Sequence, residues 1–145
     1  MHRILHTAQR LHRMTVYRTP NCHHCGLTED IEHLLLHCPM TQTFWLNIQD
    51  IVTKLTVHNI TLTDSHKLFG YLRWKDENLP QTTTDLLHCT LSIARNAIHK
   101  SAAQFRLHGT TVSPKSIFKA TATSHIKLQF KICKLRHTTY YFPYI

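Results

Sequence analysis

The sequence predicts a mainly α-helical fold with little or no sheet: a small knuckle-plus-helix lobe followed by basic amphipathic helices. Three observations support this. Only Gly26, Gly70 and Gly109 are glycines, too few for the many tight turns of a sandwich or barrel. Apolar residues recur at three- and four-residue steps over long stretches. Capping residues and prolines stand where such stretches begin and end.

Ile4, Ala8 and Leu11 mark a short basic helix over 2–15, broken by the turn Thr19-Pro20-Asn21. Thr28 is the expected cap of a second helix, with Glu29 and Asp30 at its positive end. That helix carries Ile31, His33, Leu34 and Leu35 and should stop at Cys38, because Pro39 disfavours α geometry in the residue before it. Phe44, Ile48, Ile51, Val52 and Leu55 place a further helix at 40–56. Residues 57–83 show no clear period and form a weakly structured connection between an N-terminal lobe, 1–56, and a basic helical region, 84–145. Leu87, Leu91, Ala94, Ile98, Ala102 and Phe105 define the clearest helix, 84–108, with Thr84 as expected cap and Gly109 as expected stop. Ser113-Pro114 opens the last helix, whose apolar line is Ile117, Thr121, Leu128, Ile132 and Leu135. An aromatic tail, 138–145, follows.

Charge is distributed unevenly. The chain has 17 Lys+Arg against 8 Asp+Glu, a formal net charge of +9, and its last acid is Asp85. Everything beyond Asp85 is acid-free and carries Arg95, Lys100, Arg106, Lys119, Lys127, Lys131 and Lys134 as candidate phosphate contacts on two helices. A basic half of this kind suits a polyanion, nucleic acid first of all. No run approaches the ~18 apolar residues of a membrane helix, and the first residues lack the apolar core of a signal peptide. Clustered cysteines in a reducing, cytoplasmic or nuclear compartment point to metal rather than disulfides.

The cluster is Cys22-His23-His24-Cys25, then His33 and Cys38. A C-x2-C pair turns two thiolates toward one ion, and a second pair offset by five residues lies within the range used for zinc. On an undistorted α-helix, positions five apart point about 140° from each other, so His33 and Cys38 converge only if the helix tightens or breaks. His37, four residues after His33, is the competing fourth ligand. Thiolate is the better partner for zinc, which favours Cys38. Cys22, Cys25, His33 and Cys38 together would leave no coordination position open, describing a structural site. Cys89 and Cys133 read as small core residues. A hydrolytic pairing of Cys89 with His88 or His99 lacks any residue to orient it.

Leu11-His12-Arg13-Met14, Cys22-x2-Cys25-Gly26, Glu32-His33-Leu34-Leu35-Leu36-x-Cys38-Pro39 and Phe44-Trp45 resemble the reverse-transcriptase zinc-binding domain of non-LTR retrotransposons. The stretch 93–101 resembles the basic helix that follows in these proteins. The resemblance implies Cys22, Cys25, His33 and Cys38 as zinc ligands. It also implies a C-terminal piece of a reverse transcriptase, one that helps hold RNA or target DNA for the polymerase. No Asp-Asp pair of a polymerase and no paired-carboxylate nuclease site occurs in the chain, so the expectation is a non-catalytic module without a small-molecule substrate. The alternative is a structural fragment that docks on a reverse-transcriptase polymerase domain, whose discriminating feature is an exposed apolar surface including Phe44, Trp45 and Trp74.

Overall fold

The computed structural model describes residues 6–56, 59–70 and 79–138, with side chains as far as Gln129. Five α-helices, α1 (Ala8–Arg13), α2 (Pro39–Leu55), α3 (Asp64–Phe69), α4 (Gln81–His108) and α5 (Pro114–Thr138), are joined by a π-helical segment, His33–His37. Among the described residues no strand forms, and the one β feature is an isolated antiparallel bridge between Asn21 and Thr28.

That bridge corrects the expected helix start. Pairing across the cysteine knuckle (Cys22 N–H to Leu27 O, 2.7 Å; Glu29 N–H to Pro20 O, 2.9 Å) holds Thr28 in extended backbone. The cap passes to Asp30, whose Oδ1 accepts from His33 N–H at 2.7 Å. Within the described residues, α1 is also shorter than the 2–15 expected. Thr7 caps it, accepting from Arg10 N–H, and Thr15 at φ +58° turns the chain away after it. Likewise α4 begins after Pro80, three residues ahead of the expected cap. Thr84 lies buried inside the helix and donates to Pro80 O. Its predicted stop is where expected, with Gly109 left-handed at φ +66°.

The core is built where α2 and α4 meet. Phe44, Trp45, Ile48 and Val52 of α2 face Leu87, Leu91, Ala94, Ala97, Ile98 and Ala102 of α4, joined by Leu34 and Leu35 of the π segment and Phe118 of α5. Ile48, Leu91, Ala94, Ala97 and Ile98 are fully buried. The alanines let the helix backbones approach, while each large aliphatic contributes about 1.5–3 kcal/mol of burial. This core crosses the connection expected at 57–83. Leu62 belongs to it, Gln49 of α2 ties down Ile60 O and Leu62 N–H, and Arg95 of α4 donates to Leu68 O at 3.0 Å. Thr63 and His66 cap α3 reciprocally.

Along α5 the anchor is Phe118, edge-on to Phe44 with ring centres 6.0 Å apart. Ile117 and Thr121 are half-buried, but Leu128 is 54 % exposed, so the expected apolar line gives out before it. The side chains of Ile132 and Leu135, and Trp74 and the aromatic tail, lie outside the described residues.

Candidate metal centre

The knuckle turns because Gly26, at φ +77°, closes a bond from its N–H to Cys22 O at 2.9 Å. Backbone N–H groups of His24 and Cys25 then point at Cys22 Sγ. The second pair of ligands is set by the π segment. Cys38 N–H donates to His33 O at 2.9 Å, an i to i+5 bond that widens the turn. Widening brings positions five apart nearly into line. The helix therefore widens at this point and ends at Cys38, so of the two expected distortions, tightening or breaking, the break before Pro39 is the one seen. Cys38 is extended at ψ 130°, as a residue before proline should be, and Pro39 starts α2 at its first turn.

Two α2 side chains secure this geometry. Ending the π segment leaves carbonyls without helical partners. Thr41 Oγ1 donates to Leu34 O at 2.9 Å, and Trp45 Nε1 donates to Leu35 O at 2.7 Å. Trp45 is therefore a buttress of the site. With Phe44 also buried, neither of these two residues contributes to an exposed apolar surface.

The structure brings Cys22 Sγ, Cys25 Sγ, a ring nitrogen of His33 and Cys38 Sγ within 4.8 Å of one another. Cys22 and Cys38 sulfurs are 3.8 Å apart, and Cys25 Sγ is 3.2 Å from His33 Nε2. Tetrahedral zinc, with Zn–S of about 2.3 Å and Zn–N of about 2.0–2.1 Å, implies S···S edges of about 3.8 Å and S···N edges of about 3.5 Å. The donor set fits. His37 is exposed and outside this group, which leaves Cys38 as the fourth donor.

Of the buried pair, Cys38 is the more acidic thiol. Its pKa is lowered by the bond from the Cys22 thiol and by the Met40 and Thr41 N–H groups at the start of α2. The Cys22 thiol is correspondingly raised, by that same bond and by burial. A cation bound here would displace the proton they share.

A second triplet, Cys22, His23 and Glu29, is close enough for metal but already committed. Glu29 Oε1 accepts from Ala8 N–H at 2.8 Å and from Arg106 Nη1 at 2.6 Å, in a pair whose side chains are 1 % and 6 % exposed. Arg106 also donates to His6 O at 2.8 Å. His23 stacks on Phe105, ring centres 4.0 Å apart, and burial with the charges of His24 and Arg106 lowers its pKa to about 4. These contacts bolt the knuckle to the end of α4. This role of Glu29 was missed at the level of sequence, where nothing links it to a partner 77 positions away.

The basic candidates divide. Arg106 is turned inward to Glu29, and Arg95 is half-buried against Gly70 and Leu68. Both guanidinium groups are engaged inside the fold, which removes them as free phosphate contacts. Lys100, Lys119 and Lys127 are exposed, while the side chains of Lys131 and Lys134 lie outside the described residues. Cys89 faces His125 Nε2 at 3.8 Å rather than His88 or His99.

A helical domain with a Cys3His cluster compatible with a zinc site near its N-terminal end is the class of protein that this fold and site define. Residues 1–45 match the family described as zinc-binding in reverse transcriptase. No curated protein and no solved structure matches the chain. No helix among the described residues is long and apolar enough to cross a membrane.

Proposed function

We propose that the chain is a non-catalytic, zinc-stabilised nucleic-acid-binding module that accompanies a reverse transcriptase of the non-LTR type, in the cytoplasm or nucleus. Four protein donors fill a tetrahedral ion's coordination, so the metal organises the fold and has no position left for a substrate. The observation that carries the reading is the acid-free basic half beyond Asp85, with Lys100, Lys119 and Lys127 exposed and without acidic partners among the described residues. Phosphate contacts of this kind position a nucleic acid without reading its sequence. Docking on a polymerase is the weaker reading, because Phe44 and Trp45, two of the three side chains named for such a surface, are buried. Zinc content and nucleic-acid affinity measured on one sample test the proposal. One zinc per chain, with binding that weakens steeply between about 50 and 200 mM salt, is expected. Zinc without binding to RNA or DNA overturns the nucleic-acid part.

A further inference from the structure

We propose that α5 is the element that meets the polyanion, and that its ligand is duplex DNA, with the helix lying along the major groove. The inference rests on the nucleic-acid reading above and narrows it to one helix and one kind of duplex.

The argument starts from how α5 sits. Its 25 residues span about 37 Å at 1.5 Å per residue. Its first part is packed: Pro114 and Phe118 are buried, and Ile117, Thr121 and Ala122 are half-buried. From Thr123 to Gln129 every side chain is exposed, including Ile126 at 67 % and Leu128 at 54 %. A helix needs an apolar face against something to be stable, and this stretch has little within its own fold.

Charge identifies what covers it. Counted at about 100° per residue, the packed positions 114, 117, 118, 121 and 122 fall on one half of the helix. Lys115, Lys119 and Lys127 fall on the other, and the sequence continues that register with Lys131 and Lys134. Lys115, Lys119 and Lys127 are exposed, and none has an ion-pair partner among the described residues. Lys115 stands in the first turn, where a positive charge opposes the helix dipole. Among the described residues no acid pairs with this ridge, and a phosphate backbone would.

Shape then chooses among nucleic acids. A helix with its side chains is about 10–12 Å across and fits the B-form major groove, about 12 Å wide. The deep, narrow major groove of A-form RNA does not admit it. Ile126, apolar, exposed and on the same half of the helix as the lysines, suits contact with thymine methyl groups on that groove's floor.

The test uses the zinc-loaded full chain and short duplexes of DNA and RNA and a single strand, titrated by fluorescence anisotropy across a salt series. DNA duplex should bind tightest. The combined variant Lys115→Gln, Lys119→Gln, Lys127→Gln should reduce the slope of log affinity against log salt by about 2.7, or 0.9 for each phosphate no longer neutralised. Its affinity at low salt should fall at least about tenfold, with zinc content and circular dichroism unchanged. Lys54→Gln, removing a lysine that pairs with Asp50 on α2, should leave both slope and affinity as they were. A triple variant that binds like the parent overturns the role of α5 while the broader nucleic-acid reading stands. Tighter binding to RNA duplex or to a single strand overturns the groove assignment alone. No binding to any of them overturns both.

Discussion

The metal lobe, residues 7–38, and the α2–α4 core are held together by opposite means. In the lobe the elements are short: six residues of α1, a knuckle and a five-residue π segment. Its order comes from polar contacts (Asp30 on His33, Glu29 on Ala8, the knuckle bonds) and from four donors gathered on one point. The core between α2 and α4 is apolar, aliphatic and aromatic, and Ile48, Leu91 and Ile98 expose nothing. A lobe this small cannot bury enough surface to fold unaided, so an ion must supply what apolar area does not. The core needs no such help. Between them lies a joint that is neither: the buried Glu29–Arg106 pair and the His23–Phe105 stack.

Removing zinc should break this comparison most visibly. Structural zinc contributes on the order of 10–16 kcal/mol in finger peptides, more than the ~5–15 kcal/mol of a typical domain. Chelation, or Cys38→Ser, should abolish amide protection across 7–38 and leave α2 and α4 largely protected in hydrogen exchange. Loss of α2 together with the lobe would show that the two regions are one cooperative unit. His37→Asn, at an exposed position outside the donor group, should keep its zinc.

The joint comes next in size. Arg106→Leu strands the Glu29 carboxylate in a site where it is 1 % exposed, and should cost about 3–5 kcal/mol in denaturant unfolding of the zinc-loaded chain. It should also weaken zinc binding, since Glu29 anchors the segment between the ligand pairs. Adding Glu29→Gln should recover much of the loss. A double variant no better than the single would mean that Arg106 acts through His6 O or packing instead.

The smallest expected effect is on pH dependence. His99 sits on α4 near this joint, with its Nε2 buried and without a hydrogen-bond partner. Burial, then the charges of Arg106 and His6, lowers its pKa below the ordinary 6.5. The unfolded chain therefore binds a proton more readily than the folded one. The contribution of neutral His99 is fully present above about pH 6.5 and fades as pH falls toward its lowered folded value. At saturating zinc, His99→Leu should flatten the acid limb of the stability profile. An unchanged limb would assign that slope to the metal ligands.

Much of this was legible in the residues. C-x2-C, a five-residue offset and Pro39 pointed to the four donors, and the period of α4 and its Gly109 stop were visible because both depend on neighbours within a few positions. The π turn was less so. Spacing showed that a regular helix fails between His33 and Cys38, but not that it would widen, which depends on Thr41 and Trp45 taking the freed carbonyls. The helix start at Asp30 was missed because Thr28 is also a good cap, and only its bridge to Asn21 removes it.

By itself, then, the sequence determined the helical class, the clustered Cys and His donor candidates and the acid-free basic half, since composition and local spacing suffice for those. Tertiary structure alone decided which charges remain available. Arg106 and Lys119 look alike along the chain, yet one is buried on Glu29 from a distant segment and the other stands in solvent. The physical reason is that burying a charge depends on its partners in space, and local sequence holds no record of a contact made 77 residues away.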